Sequence, residues 1–352
     1  MSDWDWSPDQ RDDLAVFLEK RGLTTGTVTT KPIGDGHSNL TYLVSDESGS
    51  QVVLRRPPPP PTPPGGHDML REARIIGALA DTPVPVAELL ATSVAGELLD
   101  VDFYVMGFSA GPVITTDTPA PLDDPVVRRR LGESLVDTLA DLHAVDWQAV
   151  GLGDLGRPEG FNARHLARMA RLVADEYGNP PAHFAAAEAW LRDRVPPESG
   201  ATIVHNDFRI GNVVCSAESP GTIAAVLDWE LATLGDPLFD LGYFLASVPV
   251  GAPVNPTQEL STALLEDGYP TRDELAARYA ERTGADLSAL NWYTTLALWK
   301  LAVLYEYGRR RAVRGVGDPY YADQALVQAF LVDAHRTAGL PPPPEPDLEE
   351  TR

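Results

Sequence analysis

One twelve-residue stretch restricts the possible folds and functions of the chain more than any other. Residues 203–214, IVHNDFRIGNVV, hold a polar segment between two runs rich in β-branched apolar residues. Such runs predict β-strands, so the polar segment between them predicts a loop. Functional side chains are concentrated on loops that a rigid framework presents. We therefore expect this loop to contribute to a functional site.

The length and charge of the chain narrow the classes of protein to consider. Its 352 residues suffice for two domains or lobes. No window of about 18 uncharged apolar residues is present, so no membrane-spanning helix is expected. The formal net charge of -23 argues against nucleic acid or an anionic membrane as a partner, because both bind basic surfaces.

Two further features indicate the compartment. The N-terminal residues MSDWDWSPDQ lack the basic start and the apolar run of a signal peptide. The single cysteine, Cys215, excludes an internal disulfide and agrees with a reducing environment. We expect a cytoplasmic protein, and the sequence leaves its oligomeric state open.

The pattern of apolar residues changes along the chain from mainly β to mainly α. Strands are predicted at 28–33, 40–44, 51–56 and 102–108, and helices near 9–21 and 67–79. After the break SAGPV helical spacing dominates, and residues 293–311 are apolar on most faces, as in a buried helix. We expect a β-rich lobe over 1–108, a helical lobe over 109–338 and a disordered Pro-rich tail over 339–352.

Polar side chains in and after the loop suit a site for magnesium and phosphate. Asp207 and Asn212 are separated by a short segment with Gly211, and Asp228 ends the next predicted strand. Carboxylate and amide oxygens are ligands that Mg²⁺ takes, with substrate phosphates completing its shell. The order of His205, Asp207, Asn212 and Asp228 matches the catalytic-loop and metal-binding pattern of protein kinases. A polar turn with an Asx cap explains each residue singly but not their order.

A second set of candidates lies in GDGHSN, between two predicted strands. Gly34 and Gly36 would let backbone amides approach a phosphate, and Ser38 and Asn39 would be further donors. A plain hairpin turn is the alternative.

An ion pair is predicted between the strand VVLRR and the helix that follows. Protein kinases carry a lysine on the corresponding strand. Alternation places Arg55 and Arg56 on opposite faces, and we expect Arg55 to be the one that faces the cleft. Glu72 lies on the apolar stripe of the helix with Ile75, so it points toward the core, and Arg55 is its predicted partner. The alternative for Glu72 is an ordinary solvated helix charge.

These residues resemble those of the aminoglycoside phosphotransferase family, the small-molecule branch of the protein-kinase-like fold. The resemblance runs from about residue 28 to about residue 335 and rests chiefly on IVHNDFRIGNVV and VLDWELATLGDPLFDLGYF, supported by GDGHSNLTY, REARII and LADLHAVD. It implies an α+β, protein-kinase-like two-lobe fold with a small N-terminal β-rich lobe and a large mainly helical C-terminal lobe.

The resemblance also implies catalytic and metal-binding roles. Asp207 is expected to orient or deprotonate the acceptor hydroxyl, with His205 beside it as a catalytic candidate. Asn212 and Asp228 are expected to bind Mg²⁺, and Asp240 to brace the catalytic loop.

The nucleotide is implied to be ATP, with GTP as the alternative. Arg55 is expected to contact its phosphates with Glu72 as partner, and backbone groups around Met106 and Phe108 to hold the adenine. Two positions depart from the family pattern. Arg55 stands where lysine is usual, which changes the geometry of phosphate contact, and Asn206 replaces the glycine of the more usual His-Gly-Asp loop.

The implied function is ATP- and magnesium-dependent transfer of the γ-phosphoryl group to a hydroxyl of a small molecule. The motifs VLRRPP and VLDWELATLGDP are similar to the subgroup that includes the kinase domain fused to acyl-CoA dehydrogenases, which points to a hydroxyacyl-CoA acceptor. An aminoglycoside or other antibiotic acceptor would suit the acidic charge and is one alternative. A pseudokinase-like nucleotide- or CoA-binding module and an enzyme that hydrolyses phosphate esters are alternatives of other classes.

The acceptor is expected to contact the helical lobe. The candidate residues are Glu230, Trp299, Tyr305, Arg309 and Arg310. The arginines in YGRRRAVRG would suit a CoA moiety. Buried packing explains the aromatic residues equally well, and the helix macrodipole favours arginines at a helix C-terminus.

Overall fold

The computed structural model describes residues 6–34, 39–58, 67–251 and 253–346. The chain divides into two compact units. The first unit comprises 1–111, 150–152 and 224–231, and the second comprises 112–149, 153–223 and 232–352. The first unit therefore includes two short segments that are distant from it in sequence.

The first unit is built on a five-stranded antiparallel sheet. Its elements are helix α1 (Pro8–Glu19), strands β1 (Val28–Pro32), β2 (Leu40–Asp46) and β3 (Gln51–Arg56), helix α2 (Met69–Leu79), and strands β4 (Leu89–Ser93) and β5 (Phe103–Gly107). The strand order is β1-β2-β3-β5-β4. Strand β3 is thus central, and Arg55 lies opposite Thr41 on β2 and Tyr104 on β5.

Helix α2 packs an apolar face into the first unit and carries one buried charge. The side chain of Asp68 accepts a hydrogen bond from the backbone of Arg71 and caps the helix N-terminus. Ile75, Ile76 and Glu72 are all buried. A carboxylate on this face requires a buried partner, because an unpaired buried charge is strongly unfavourable.

The second unit is mainly helical. Its helices are α3 (Pro125–His143), α4 (Phe161–Val173), α5 (Ala182–Asp193), α6 (Pro237–Ser247), α7 (Pro256–Glu259), α8 (Arg272–Thr283), α9 (Leu290–Val313) and α10 (Gln324–Ala338). Its short strands are β6 (Thr202–Val204), β7 (Val213–Cys215) and β9 (Thr233–Gly235), and strand β8 (Ile223–Val226) begins in this unit and continues in the first. Between β6 and β7, a short 3₁₀ helix spans Ile210–Asn212.

Helices α6 and α9 approach closely in the core of the second unit. A Cβ on Gly242 of α6 would lie 2.8 Å from the backbone carbonyl carbon of Tyr293 on α9. Glycine is therefore needed for this spacing, because no larger residue fits between the two backbones. Helix α6 also carries Asp240 and Tyr243, and α9 carries Lys300.

The predicted α+β fold, with a small sheet unit and a larger helical unit, is confirmed. The strand expected at 51–56 has the expected bounds, and the helix expected at 293–311 extends over Leu290–Val313. The domain limits at 1–108 and 109–338 stay a prediction, and residues 347–352 of the tail lie outside the described residues. In the described part of the chain, no helix is long and apolar enough to cross a membrane.

Candidate active site

In the first unit, the guanidinium of Arg55 bridges two carboxylates. Its Nε lies 3.1 Å from Oε2 of Glu72, and its Nη2 lies 2.5 Å from Oδ1 of Asp228. The side chain of Arg55 is 13% exposed and that of Glu72 is 1% exposed, so water screens their interaction weakly. The predicted pairing of Arg55 with Glu72 is present, and Asp228 is a second partner that the sequence did not indicate.

Hydrogen bonds complete the surroundings of Glu72. The hydroxyl of Tyr104 donates to Oε2 at 3.0 Å, and the amide nitrogen of Asn39 donates to Oε1 at 3.1 Å. Burial raises the pKa of Glu72 to about 7, and the charge of Arg55 opposes that rise. Glu72 is therefore held from three sides in the interior of the unit.

The position of Asn39 corrects one prediction. Its amide nitrogen also donates to Oε2 of Glu230 at 2.9 Å, and its amide oxygen lies 2.7 Å from Nδ1 of His67. The residue is only 4% exposed. Because its donor group faces two carboxylates, Asn39 links Glu72 to Glu230 instead of serving as a phosphate donor.

Three carboxylates of the first unit form a compact group of oxygen atoms. One oxygen from each of Glu72, Asp228 and Glu230 lies within 4.8 Å of the others. Carboxylate oxygens are ligands of the kind that Mg²⁺ takes. The side chain of Asp228 is 31% exposed, whereas Glu72 is buried. Asp228 is therefore the more accessible of these two carboxylates to a cation from solution, whereas Glu72 forms an ion pair with Arg55.

In the second unit, the carboxylate of Asp207 is oriented at both oxygens. The hydroxyl of Tyr243 donates to Oδ1 at 2.6 Å, and the amide nitrogen of Asn212 donates to Oδ2 at 2.7 Å. The same nitrogen donates to the backbone carbonyl of Asp207 at 2.8 Å. The nitrogen of Asn212 thus faces Asp207, and its amide oxygen is the atom that would ligate a metal.

Asp240 on helix α6 fixes the start of the loop at 205–212, which we call the catalytic loop after the role predicted for it. It accepts hydrogen bonds from the backbone N–H of His205 at 2.5 Å and from that of Asn206 at 2.7 Å. The side chain of His143 lies 3.4 Å from the same carboxylate. The predicted bracing role of Asp240 agrees with these contacts.

His205 is corrected from a catalytic candidate to a residue that shapes the loop. Its side chain is fully buried, and Nδ1 accepts a hydrogen bond from the backbone N–H of Asp207 at 3.2 Å. A side chain enclosed in this way cannot reach a substrate in this structure.

A buried lysine that the sequence analysis did not single out lies beneath the loop. The Nζ of Lys300 donates to the backbone carbonyl of Asn206 at 3.1 Å and lies 5.0 Å from the ring centroid of Tyr243. Lys300 is 5% exposed. Burial lowers its pKa to about 8, and the charges of Asp207 and Asp240 oppose that change.

Left-handed backbone conformations occur in two clusters, one around Arg55, Glu72 and Asp228 in the first unit and one around Asp207 in the second. In the described ranges, three non-glycine residues have this conformation, His67 (φ 64°), Asn206 (φ 68°) and Asp228 (φ 64°). Such conformations cost free energy and persist where surrounding contacts hold them, often at functional sites. His67 and Asp228 belong to the cluster in the first unit, and Asn206 belongs to the catalytic loop.

The remaining nucleotide-binding candidates lie in the first unit. Met106 is 8% exposed and Phe108 is 40% exposed, and the N–H of Gly107 between them donates to the carbonyl of Glu88 at 2.8 Å. Gly34 has a left-handed backbone with φ of 79°. The candidates Gly36 and Ser38 lie outside the described residues.

The structure corrects the prediction for two of the acceptor residues, because both lie in the core of the helical unit. Trp299 is fully buried, and Arg309 is 5% exposed and paired with Glu306 at 2.7 Å inside the helical unit. Arg310 pairs with the same glutamate at 2.8 Å and is one third exposed. Tyr305 packs against three aromatic rings, those of Tyr320, Tyr321 and Phe330.

Three supporting residues escaped the sequence analysis. Tyr104 and Tyr243 each donate to a carboxylate of a cluster, and Lys300 supports the loop. Only Lys300 has a clear signal in the sequence, since it is a single cation in a run of apolar residues. A cation in a buried helix requires an acceptor, which points to a specific buried contact.

Comparison with known proteins decides the family. Residues 29–277 match the model of the phosphotransferase enzyme family called APH. The chain belongs to this family. The predicted membership of a phosphotransferase family is therefore confirmed.

The curated relatives of this phosphotransferase are much longer than it is. It is 31% identical over 290 residues to "Probable acyl-CoA dehydrogenase IBR3" of Arabidopsis thaliana, covering 77% of this chain and 35% of that protein. It is 29% identical over 324 residues to "Acyl-CoA dehydrogenase family member 10" of Mus musculus, covering 90% of this chain and 30% of the relative. The chain spans about a third of the length of these relatives.

Solved structures confirm the fold. A protein of Ralstonia eutropha provisionally assigned as an aminoglycoside phosphotransferase shares 26% identity and a TM-score of 0.77, with 93% of this chain and 98% of that chain covered. A complex of the aminoglycoside phosphotransferase APH(4)-Ia with AMP-PNP and hygromycin B shares 17% identity and a TM-score of 0.60, with 94% and 99% covered. The second likeness shows the fold alone.

Proposed function

We propose that the protein is an ATP- and magnesium-dependent kinase that transfers the γ-phosphoryl group to a hydroxyl of a small molecule, and that this molecule is a hydroxyacyl-CoA. The arrangement around Asp207 is the observation that carries the proposal. Its carboxylate is oriented at both oxygens by Tyr243 and Asn212 and remains 22% exposed. A carboxylate held in this way can orient a hydroxyl group and accept its proton.

In the proposed reaction, Asp207 binds the acceptor hydroxyl and receives its proton. A bond forms between the acceptor oxygen and the γ-phosphorus, and the bond from that phosphorus to the oxygen bridging to the β-phosphate breaks. ADP leaves with the electron pair of that bond. Positioning and electrostatic stabilisation supply most of the acceleration of phosphoryl transfer.

Asn212 and Asp228 are the proposed ligands of Mg²⁺, because the family resemblance implies this role for both residues. When bound, Mg²⁺ neutralises phosphate charge. The donor set fits this ion, because both residues offer an oxygen atom and Asp228 is partly exposed. Glu230 is a candidate for a second ion, since its carboxylate lies in the same group of oxygens as Asp228.

The proposed nucleotide contacts come from the first unit. Arg55, fixed by Glu72, contacts the phosphates, and the backbone between Met106 and Phe108 holds the adenine. Because Arg55 also pairs with Asp228 at 2.5 Å, its guanidinium must share that carboxylate with the metal or release it when ATP binds.

The proposed acceptor follows from the relatives. Proteins named as acyl-CoA dehydrogenases contain a region similar to this chain over about a third of their length. A kinase region joined to such a dehydrogenase would most simply act on an acyl-CoA that carries a hydroxyl. An aminoglycoside acceptor is the second candidate, favoured by the Ralstonia structure and by the net charge of -23.

The test is an assay of magnesium-dependent ADP release with a panel of acceptors. The panel holds 4-hydroxyacyl-CoA thioesters, the matching free hydroxy acids, and aminoglycosides. Asp207→Asn is assayed beside the wild type, and Asp13→Asn, at an exposed position on helix α1, is the matched control.

We expect 4-hydroxyacyl-CoA to stimulate ADP release in the wild type and in Asp13→Asn, but not in Asp207→Asn. Stimulation by aminoglycosides instead would contradict the proposed hydroxyacyl-CoA acceptor but support the proposed kinase activity. Binding of ATP without ADP release for any acceptor would favour the nucleotide-binding module, to which the Arg55–Asp228 contact lends support.

A further inference from the structure

Asn206, in the catalytic loop, has a backbone conformation that neighbouring contacts must stabilise. Its φ of 68° lies in the left-handed region, where glycine is the usual residue and asparagine is tolerated at a smaller cost than most residues with a Cβ. The peptide that joins Asn206 to Asp207 is the last link before the proposed base. Any relaxation of residue 206 would therefore rotate this peptide and displace the carboxylate of Asp207.

The two sides of residue 206 are held by different groups. Its N–H donates to Oδ1 of Asp240 at 2.7 Å, and its carbonyl accepts from Nζ of Lys300 at 3.1 Å. The carbonyl is the half of the residue that belongs to the peptide leading to Asp207. Lys300 thus contacts the peptide between Asn206 and Asp207, and the orientation of this peptide sets the direction of the Asp207 side chain.

Lys300 also touches the second support of Asp207. Its Nζ lies 5.0 Å from the ring centroid of Tyr243, within the range of a cation–π contact. The hydroxyl of Tyr243 donates to Oδ1 of Asp207 at 2.6 Å. The ammonium is also 5.1 Å from the ring centroid of Phe239, so it is enclosed by two aromatic faces and a carbonyl.

The choice of lysine is specific. The chain contains 25 arginines and three lysines, Lys20, Lys31 and Lys300. Lys20 and Lys31 are exposed, whereas Lys300 is 5% exposed. A compact ammonium fits a single carbonyl between two rings, whereas a guanidinium is larger and needs a planar set of acceptors.

We propose that Lys300 is a positioning residue that holds Asn206 in its left-handed conformation and thereby aligns Asp207 for phosphoryl transfer. The inference rests on the proposed role of Asp207. It assigns Lys300 no contact with the substrate and no proton transfer. Its central consequence is that the need for Lys300 depends on which residue occupies position 206.

The test is a double-mutant cycle of Lys300→Met and Asn206→Gly. Methionine retains the length of the side chain in a buried site and removes the donor, and glycine adopts the left-handed conformation without strain. The cycle is measured twice, as kcat for ADP release and as the free energy of unfolding in denaturant. Lys20→Met, at an exposed position, is the matched control.

We expect Lys300→Met to lower kcat roughly tenfold, the effect of losing one hydrogen bond from a charged donor, with the KM for ATP unchanged. In the Asn206→Gly background, the same substitution should lower kcat by no more than about twofold, because glycine removes the strain. The unfolding cycle should show the same sign of coupling. Lys20→Met should equal the wild type in both measurements.

An equal loss in both backgrounds would overturn the proposal, since Lys300 would then act through its charge or through general packing. A rise in the KM for ATP with unchanged kcat would overturn it as well. If the wild type releases no ADP with any acceptor, the proposed function fails. The unfolding cycle still decides in that case whether Lys300 holds Asn206.

Discussion

The two clusters each contain a cation that is largely shielded from solvent, but the two cations have different partners. Arg55 in the first unit pairs with two carboxylates, those of Glu72 and Asp228. Lys300 in the second unit bonds a neutral carbonyl and lies against two aromatic rings. The forked guanidinium fixes two charged side chains relative to each other, whereas the ammonium fixes a turn of the backbone. Loss of Arg55 therefore leaves unpaired charges, and loss of Lys300 leaves neutral groups.

The largest effect expected from this difference concerns folding stability. Arg55→Met should lower the free energy of unfolding by about 4 kcal/mol, because Glu72 remains buried without its cation. Denaturant unfolding measures the change, with Arg56→Met on the opposite face of the same strand as the matched control. A loss no greater than that of the control would show that Glu72 is protonated or otherwise satisfied, and the contrast with Lys300 would disappear.

The second effect is a pH dependence specific to Lys300. Its pKa is about 8 in the folded protein, against 10.5 for an ordinary lysine. Between these values the unfolded chain holds a proton that the folded protein has released, so stability rises with pH. We expect the wild type to gain about 3 kcal/mol over this window relative to Lys300→Met, measured by denaturant unfolding at several pH values.

A flat difference between the two proteins across that window would mean that the carbonyl of Asn206 and the nearby carboxylates keep Lys300 fully charged. The buried lysine would then resemble Arg55 in its electrostatics, and only the geometry of its partners would distinguish it.

The third effect concerns turnover. Asp207→Asn should lower kcat by at least about a hundredfold while ATP still binds, because the amide cannot accept the hydroxyl proton. Steady-state kinetics and nucleotide titration measure the two properties separately. Near-normal turnover in this variant would show that Asp207 is not the base. The contacts around Asp207 would then have no role in the proposed reaction.

The smallest effect tests the hydroxyl that orients Asp207. Tyr243→Phe should lower kcat about tenfold, as expected for loss of a hydrogen bond to a charged acceptor, without loss of stability of similar size. Tyr104→Phe removes the corresponding hydroxyl from Glu72 in the first unit and is the matched comparison. If both variants lose stability and neither loses kcat specifically, the two hydroxyls have the same structural role.

The sequence predicted the elements better than the contacts. Alternation along the strand 51–56 and the apolar stripe of α2, read together with the kinase pattern, led to the pairing of Arg55 with Glu72, because each pattern restricts the direction of a side chain locally. Asn39 was misjudged, since its amide is an equally good donor to phosphate or to carboxylate and only the folded unit selects between them. Lys300 is 94 residues from the carbonyl it supports, and no local pattern encodes that distance.

Two of the acceptor candidates, Trp299 and Arg309, were wrong for a related reason. Trp299 and Arg309 lie on α9, and apolar residues on most faces of this helix were recognised as a sign of burial. The arginines were nevertheless expected at a surface, because the sequence does not show that Glu306 neutralises Arg309 within the same helix. A partner three residues away can turn a charged residue into part of a core.

The glycine contact between helices α6 and α9 has a consequence for protein engineering. Residue 242 allows the backbones to meet, and the supports of the catalytic loop are mounted on these two helices, Asp240 and Tyr243 on one and Lys300 on the other. A library that seeks new acceptors should therefore leave this helix pair unchanged and diversify the helices around it. Helices α6 and α9 would then keep the residues around Asp207 in place while the preference for the acceptor is changed.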